Sequence, residues 1–320
     1  MTSAEPAAVL ALDLGGTQLR TALVLADGTL HGRRAVATPR TAADVVGACL
    51  ASLRATLDAA LDANAPAPRA IGISAPGPLD PLHGVLIDPP NLDRSLWEYP
   101  LAAAIGEPLG LTAVIERDTQ VAALAEGRFG AARGLSDYVY LTVSTGIGGA
   151  AVIDGRLLRG PDGHAGELGH MTVDFDGPAC GCGARGHLEA MSSGTGIARA
   201  ARAAGMGDLT ASQLAAAEER GDERATLIME RARAAFAAAA ISIVDIFNPQ
   251  RLIVGGGVAI GQGDRLLGQA REAVRGHAFR RPAARVEIVA AELGDDVGLI
   301  GCVSLVSLAL LGEDRDSTRT

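Results

Sequence analysis

The stretch Val9-Leu-Ala-Leu-Asp13-Leu-Gly15-Gly16-Thr17-Gln-Leu-Arg-Thr-Ala-Leu-Val-Leu25-Ala-Asp27-Gly28 sets the reading of this chain. Val9 to Leu14 is the continuous apolar run of a buried strand, and it ends in a glycine turn at Gly15-Gly16-Thr17. Leu19 to Leu25 is a second strand. Asp27-Gly28 supplies the turn that lets His31 to Thr38 return as a third. The pattern then recurs: Tyr138 to Ser144 is a strand, Thr145-Gly146-Ile-Gly148-Gly149 a turn, and Ala150 to Ile153 a strand that ends in Asp154-Gly155. Such an internal echo carries more weight than either copy alone.

Outward from the two hairpins, helical spacing alternates with short apolar runs. Ala42 to Asp62 reads as a helix and Ala70 to Ser74 as a strand running into Ala75-Pro76-Gly77-Pro78. Thr112 to Arg117 reads as a strand followed at once by a helix from Thr119 to Phe129. In the second half, helices are expected at Ser193–Ala204, Ala211–Glu219, Glu223–Phe247 and Arg265–Gly276, with strands at Arg251–Val254 and Arg285–Ala290. This alternation in both halves predicts an α/β architecture. The apolar run Val297 to Gly312 is shorter than the ~20 residues a membrane span needs, so a buried C-terminal helix is expected.

The chain has 320 residues and a net charge of −9, which argues against a nucleic-acid partner and against a basic membrane-binding face. All 28 of its basic residues are arginine. Without lysine there is no P-loop lysine, no paired lysine of the protein-kinase type and no Schiff base. The four cysteines do not make a disulfide framework; Cys49 and Cys302 sit in apolar stretches and read as core thiols. The N-terminus lacks the basic start of a signal peptide, so a cytoplasmic location is expected.

Three glycine turns follow strands, at Asp13–Thr17, Thr145–Gly149 and Gly255-Gly256-Gly257. Glycine lets backbone approach a phosphate, and successive N–H groups can form an anion nest. None has dinucleotide-fingerprint spacing, and the first two precede strands rather than helices. Between Gly160 and Glu189 lie His164, Glu167, His170, Cys180, Cys182, His187 and Glu189, spaced by glycines. Two cysteines with His170 and His187 supply the four ligands of a closed tetrahedral zinc site, and such an ion would fix where Glu167 and Glu189 point. Asp118 stands between a strand and a helix, where an N-cap is the plain structural explanation.

Taken together, Asp13-Leu-Gly-Gly-Thr17, the repeated hairpin and Leu252-Ile-Val-Gly-Gly-Gly257 resemble the motifs of the actin-like ATPase (ribonuclease H-like) fold. Gly166-Glu-Leu-Gly-His170 with Cys180-Gly-Cys182-Gly-Ala-Arg-Gly-His187-Leu-Glu189 resembles the signature of the ROK family (repressors, open reading frames, kinases). The resemblance runs from Asp13 to the Leu293–Gly301 stretch. It implies a duplicated, two-lobed α/β fold: a small lobe of residues 1–118 plus 299–320, and a large lobe of residues 119–298 with the zinc loop.

The resemblance also implies a function, an ATP-dependent hexose 6-kinase with glucose as the leading substrate. Asp118 would be the general base, at a position the family usually writes Asn-Asp-Ala-Asn. Gly77, Asn91, Arg117, Asp118, Glu167, His170 and Glu189 would bind the sugar. Asp13, Gly15, Gly16, Thr17, Thr145, Gly146, Gly255, Gly256 and Gly257 would bind ATP, with Mg²⁺ near Asp13. His170, Cys180, Cys182 and His187 would hold a structural Zn²⁺, His187 standing where the family commonly has a third cysteine. Arg117 replaces the usual asparagine, and Thr119-Gln120 replaces Ala-Asn, so sugar choice is left open among glucose, N-acetylmannosamine, N-acetylglucosamine, mannose, fructose and allose. The family also contains sugar sensors and transcription regulators, but those carry a DNA-binding segment ahead of the phosphate motif, whereas twelve residues precede Asp13 here. A homodimer or dimer of dimers is expected by analogy.

Overall fold

The computed structural model describes residues 6–316. By its contacts the chain divides into two compact units. One comprises Met1–Gly130, Arg159–His164 and Asp295–Thr320, and the other Ala131–Leu158 and Ala165–Gly294.

The first unit opens with β1 (Ala8–Leu14), β2 (Gln18–Leu25) and β3 (Leu30–Ala37), then α1 (Ala42–Asp62) and β4 (Ile71–Ala75). A small hairpin of β5 (Leu79–Asp80) and β6 (Val85–Leu86) and the short α2 (Leu101–Gly106) lead to β7 (Ala113–Arg117) and α3 (Asp118–Phe129). The sheet order is β3-β2-β1-β4-β7; β1, β2 and β3 pair antiparallel, and β4 and β7 add in parallel. Every residue of β1 is buried, as a central strand covered on both faces requires.

The second unit contains β8 (Tyr138–Val143), β9 (Ile147–Ile153) and β10 (Arg156–Leu157), then α4 (Leu188–Ser192), α5 (Gly194–Ala203), α6 (Ala211–Glu219) and α7 (Glu223–Phe247). It ends with β11 (Arg251–Gly255), α8 (Gly257–Gln262), α9 (Asp264–His277), α10 (Arg280–Arg285) and β12 (Glu287–Ala290). Its order, β10-β9-β8-β11-β12, repeats the first sheet strand for strand, with an antiparallel meander followed by two parallel additions. The echo in the sequence is therefore a duplicated sheet. Val139, Leu141, Leu252 and Val254 pack under Phe236 and Ile243 of α7 and Leu266 of α9.

The chain then returns to the first unit as α11 (Val297–Asp316). Leu299 and Val303 of α11 cover Val9, Ala11 and Val24 on one face of the first sheet, and Leu53 of α1 covers Leu10, Leu12 and Leu23 on the other. Residues 298–307 of the C-terminal apolar run thus lie in a largely buried helix. Among the described residues no helix is long and apolar enough to cross a membrane. Cys49 and Cys302 are fully buried, and burial pushes the Cys49 thiol up to about 12.

Three details depart from expectation. The last strand starts at Glu287, because residues 280–285 form α10 with Pro282 in its first turn, where a missing N–H costs nothing. The contacts keep α3 with the first unit rather than opening the second at residue 119, because α3 packs on α11; Val121 joins the α11 core. They also assign 159–164 to the first unit and begin its C-terminal part at residue 295 rather than 299. Of the residues expected in the small lobe, 1–5 and 317–320 lie outside the described ones.

Candidate functional site

In the first unit the glycine turn between β1 and β2 gathers several of the candidate residues. Asp13 is the penultimate residue of β1 and is 7% exposed. Its Oδ2 takes Arg20 Nη2 at 2.5 Å and its Oδ1 takes Ser74 Oγ at 2.9 Å. The start of α11 lies against it, since a Cβ on Gly298 would stand 2.7 Å from the Asp13 carboxylate. Each carboxylate oxygen so far has one partner, which leaves a lone pair on each for a hydrated divalent cation. The Gly15 N–H donates to Gln18 O at 2.9 Å and Gly15 O accepts from Thr38 Oγ1 at 2.7 Å, which fixes the turn. Gly16 and Thr17 are exposed at its tip. Asn91 meets that tip: a Cβ on Gly16 would lie 2.6 Å from the Asn91 carbonyl oxygen.

At the end of β7 the chain passes through a buried polar cluster. Glu116 is 0% exposed, Arg117 3%, Thr119 8% and Gln120 0%, yet Asp118 among them is exposed. The Arg117 stem lies across Gly77, where a Cβ would meet Arg117 Cδ at 2.7 Å. The N-cap of α3 is Arg117, not Asp118, which is the first helical residue; its Oδ1 accepts the Thr119 N–H at 2.7 Å. Glu116 Oε1 accepts the N–H of that N-cap residue, Arg117, at 3.0 Å. Gly77, Arg117 and Asp118 are thus neighbours, as are Asp13, Gly16 and Asn91.

In the second unit the segment Gly166–His170 lies directly across the β8–β9 hairpin. A Cβ on Gly169 would overlap Ile147 O, and one on Gly149 would meet Leu168. Glu189, in the first turn of α4, points its Oε2 at this hairpin and accepts the Ile147 N–H at 3.0 Å. Thr145 and Glu167 are exposed. The third glycine turn closes on the same strands: Gly256, at φ +92°, sits against Val143 O and Thr142 Oγ1. The start of α5 completes the group, with the Gly194 N–H donating to Ser144 O at 2.8 Å and the Thr195 N–H to Thr145 O at 3.1 Å. Ser193 caps that helix through the Gly196 N–H. The sequence reading placed a helix start at Ser193 but did not bring Ser193-Gly194-Thr195 to this group.

The metal candidates converge. His170, Cys180, Cys182 and His187 offer ligand atoms that all lie within 4.8 Å of one another. His170 Nδ1 and His187 Nδ1 are 3.2 Å apart, Cys182 Sγ and His187 Nδ1 3.4 Å, and Cys180 Sγ and His170 Nδ1 3.8 Å. A tetrahedral zinc centre spaces two nitrogens about 3.3 Å apart, and nitrogen from sulfur about 3.6 Å. The four donors fit that ion. The loop is built for it by the bridges Thr172↔His187 and Ala179↔Arg185 and by Gly186, where a Cβ would overlap Asp174 O. Burial pushes the Cys180 thiol up, so as protein alone the neutral thiol is favoured at this position. His170 has its Nε2 left for another partner.

Residues 9–308 match the model of the ROK family. An N-acetylmannosamine kinase of Shigella boydii is 36% identical over 298 residues, covering 92% of this chain and 97% of that protein. A glucokinase of Thermotoga maritima is 33% identical over 315 residues, covering 93% and 96%. The crystal structure of a ROK family glucokinase from Streptomyces griseus in complex with glucose and AMPPNP superposes with a TM-score of 0.77 at 30% identity, covering 93% and 98%. The fold is accordingly the actin-like ATPase fold of these kinases. The chain belongs to the ROK family, as one of its sugar kinases.

Proposed function

We propose that the protein transfers the γ-phosphoryl group of ATP to the 6-hydroxyl of a hexose, with glucose the leading substrate. The observation that carries this reading is Asp118, the one exposed residue in the buried run 116–120, at the head of α3. Its carboxylate would take the hydroxyl proton as the sugar oxygen attacks the γ-phosphorus and ADP departs. Phosphoryl transfer of this kind rests on positioning and charge neutralisation rather than covalent catalysis. In the first unit, Asp13 would hold a hydrated Mg²⁺, the amides of Gly15, Gly16 and Thr17 would take phosphate oxygens, and Gly77, Asn91 and Arg117 would border the sugar. In the second, the amides of Thr145 and Gly146 and the Gly255–Gly257 turn would meet the nucleotide.

Glu167, Glu189 and His170 Nε2 would take sugar hydroxyls; Glu189 Oε2 is already fixed by Ile147, which leaves its Oε1 for the ligand. A zinc ion on His170, Cys180, Cys182 and His187 would lock the loop that carries His170 and precedes Glu189. Histidine bound through Nδ1 presents Nε2 in a set direction, which suits a ligand contact. A second reading, N-acetylmannosamine as substrate, is favoured by the 36% identity to a kinase of that name. A homodimer or dimer of dimers belongs to the same reading by family analogy.

The test is a coupled ADP-release assay with ATP and Mg²⁺ against glucose, N-acetylmannosamine, N-acetylglucosamine, mannose, fructose and allose. Highest kcat/KM on glucose supports the leading substrate and highest on N-acetylmannosamine the second. ATP turnover with none of them overturns the kinase reading in favour of a sugar sensor.

A further inference from the structure

Glu116 is a carboxylate with 0% exposure on the penultimate residue of a strand. A buried charge is tolerated only when it is paired and fully hydrogen-bonded. Its counter-charge comes from far along the chain: Arg159 Nε donates to Glu116 Oε2 at 2.6 Å. The other oxygen, Oε1, accepts the backbone N–H of Arg117 at 3.0 Å and also the Gln120 amide nitrogen. The Gln120 amide has only one sensible orientation, because a carboxylate only accepts and a guanidinium only donates. Its oxygen therefore accepts from Arg117 Nη2 at 3.0 Å. Arg117 in turn is pinned across Gly77.

The chain of contacts runs Arg159, Glu116, then both the backbone N–H just before Asp118 and the side chain one helical position short of a turn after it. Asp118 is the residue this cluster leaves exposed. We propose that Arg159 and Glu116 are positioning residues for the reaction: the Arg159 guanidinium keeps the Glu116 anion seated on the start of α3, and this fixes the direction in which Asp118 presents its carboxylate. Arg159 also opens the stretch 159–164 that packs within the first unit, eight residues before Glu167. Without Arg159 the Glu116 anion loses the guanidinium paired with its Oε2, and the bonds from its Oε1 to the Arg117 N–H and the Gln120 amide are no longer held in register. The inference rests on the reading of Asp118 as the base.

The experiment compares the full-length wild type with R159M, E116Q and the double variant E116Q/R159M, each checked for folding by circular dichroism. R159M is expected to lower kcat about 10- to 100-fold with the KM for ATP nearly unchanged, because a small misplacement of a reacting group is enough to do so. The double variant, in which the stranded charge is gone, is expected to recover most of that loss. Hydrogen exchange at the Arg117 amide, read by NMR, should rise about tenfold or more in R159M and fall back in the double variant. Wild-type kcat in R159M, or a double variant no better than R159M, overturns the proposal. If the wild type phosphorylates no sugar, the kinase reading fails by itself, and the exchange arm still decides: unchanged exchange at Arg117 in R159M overturns the positioning role.

Discussion

At the scale of single residues, the contrast between Asp118 and its neighbours decides most. The sequence showed an aspartate between a strand and a helix, for which capping is the ordinary use. The fold makes Arg117 the N-cap and Asp118 the first helical residue, whose Oδ1 accepts the Thr119 N–H, so a bond at the helix start and an exposed carboxylate coexist at Asp118. Gly16 makes a second point. A residue with a side chain there would collide with the Asn91 backbone, so the turn proposed to take phosphate and the residue proposed to border the sugar share one contact. G16A is therefore expected to raise the KM for sugar and the KM for ATP together, each about tenfold, and to lower thermal stability as the turn and the Asn91 backbone move apart. A rise in the ATP KM alone would show that Asn91 is independent of the turn.

At the scale of elements, the short loop and the long helices behave differently. The loop between His170 and His187 packs Met171 and Val173 on the core of the second unit, and its ligand spacing is that of a zinc centre. Purified protein is expected to carry one zinc per chain by atomic absorption. C182S is expected to carry less than a tenth of that and to melt several degrees lower; full metal content in C182S would remove Cys182 from the ligand set. In the helical part of the second unit, Glu218 of α6 pairs with Arg233 of α7 at 2.5 Å, both largely buried. The Arg233 hydrogen bond holds the Glu218 carboxyl below its ordinary value of 4.5. A depressed carboxylate pKa gives stability that is present above the unfolded-state value and lost as pH falls through the folded one. E218Q should therefore be less stable than wild type at pH 7, with the difference shrinking as pH falls below about 4.5. A gap in urea midpoint that stays constant from pH 7 to pH 3.5 would contradict this.

At the scale of the whole molecule, the architecture was legible because duplication writes the same hairpin twice. Leu10 to Gly28 and Tyr138 to Gly155 became sheets of matching order, and the helices from Ala42, Ala211 and Glu223 began and ended where their spacing put them. Unit boundaries were less legible, since a helix such as α3 reads the same whether it packs forward or back along the chain. The convergence of the four candidate metal ligands was legible because they are close in sequence. The partners Arg20 for Asp13 and Arg159 for Glu116 were not: an arginine gives no local signal of which distant carboxylate it will meet. Ser193 to Thr195 was readable as a helix start but not as a neighbour of Thr145.

The most direct measurement is a pair of assays on D118N, sugar binding by calorimetry and ATP turnover with the best sugar of the wild type. The account predicts that D118N folds and binds that sugar with wild-type affinity while kcat falls about 10²- to 10⁴-fold, the usual contribution of a general base. Turnover within a few-fold of wild type would contradict it.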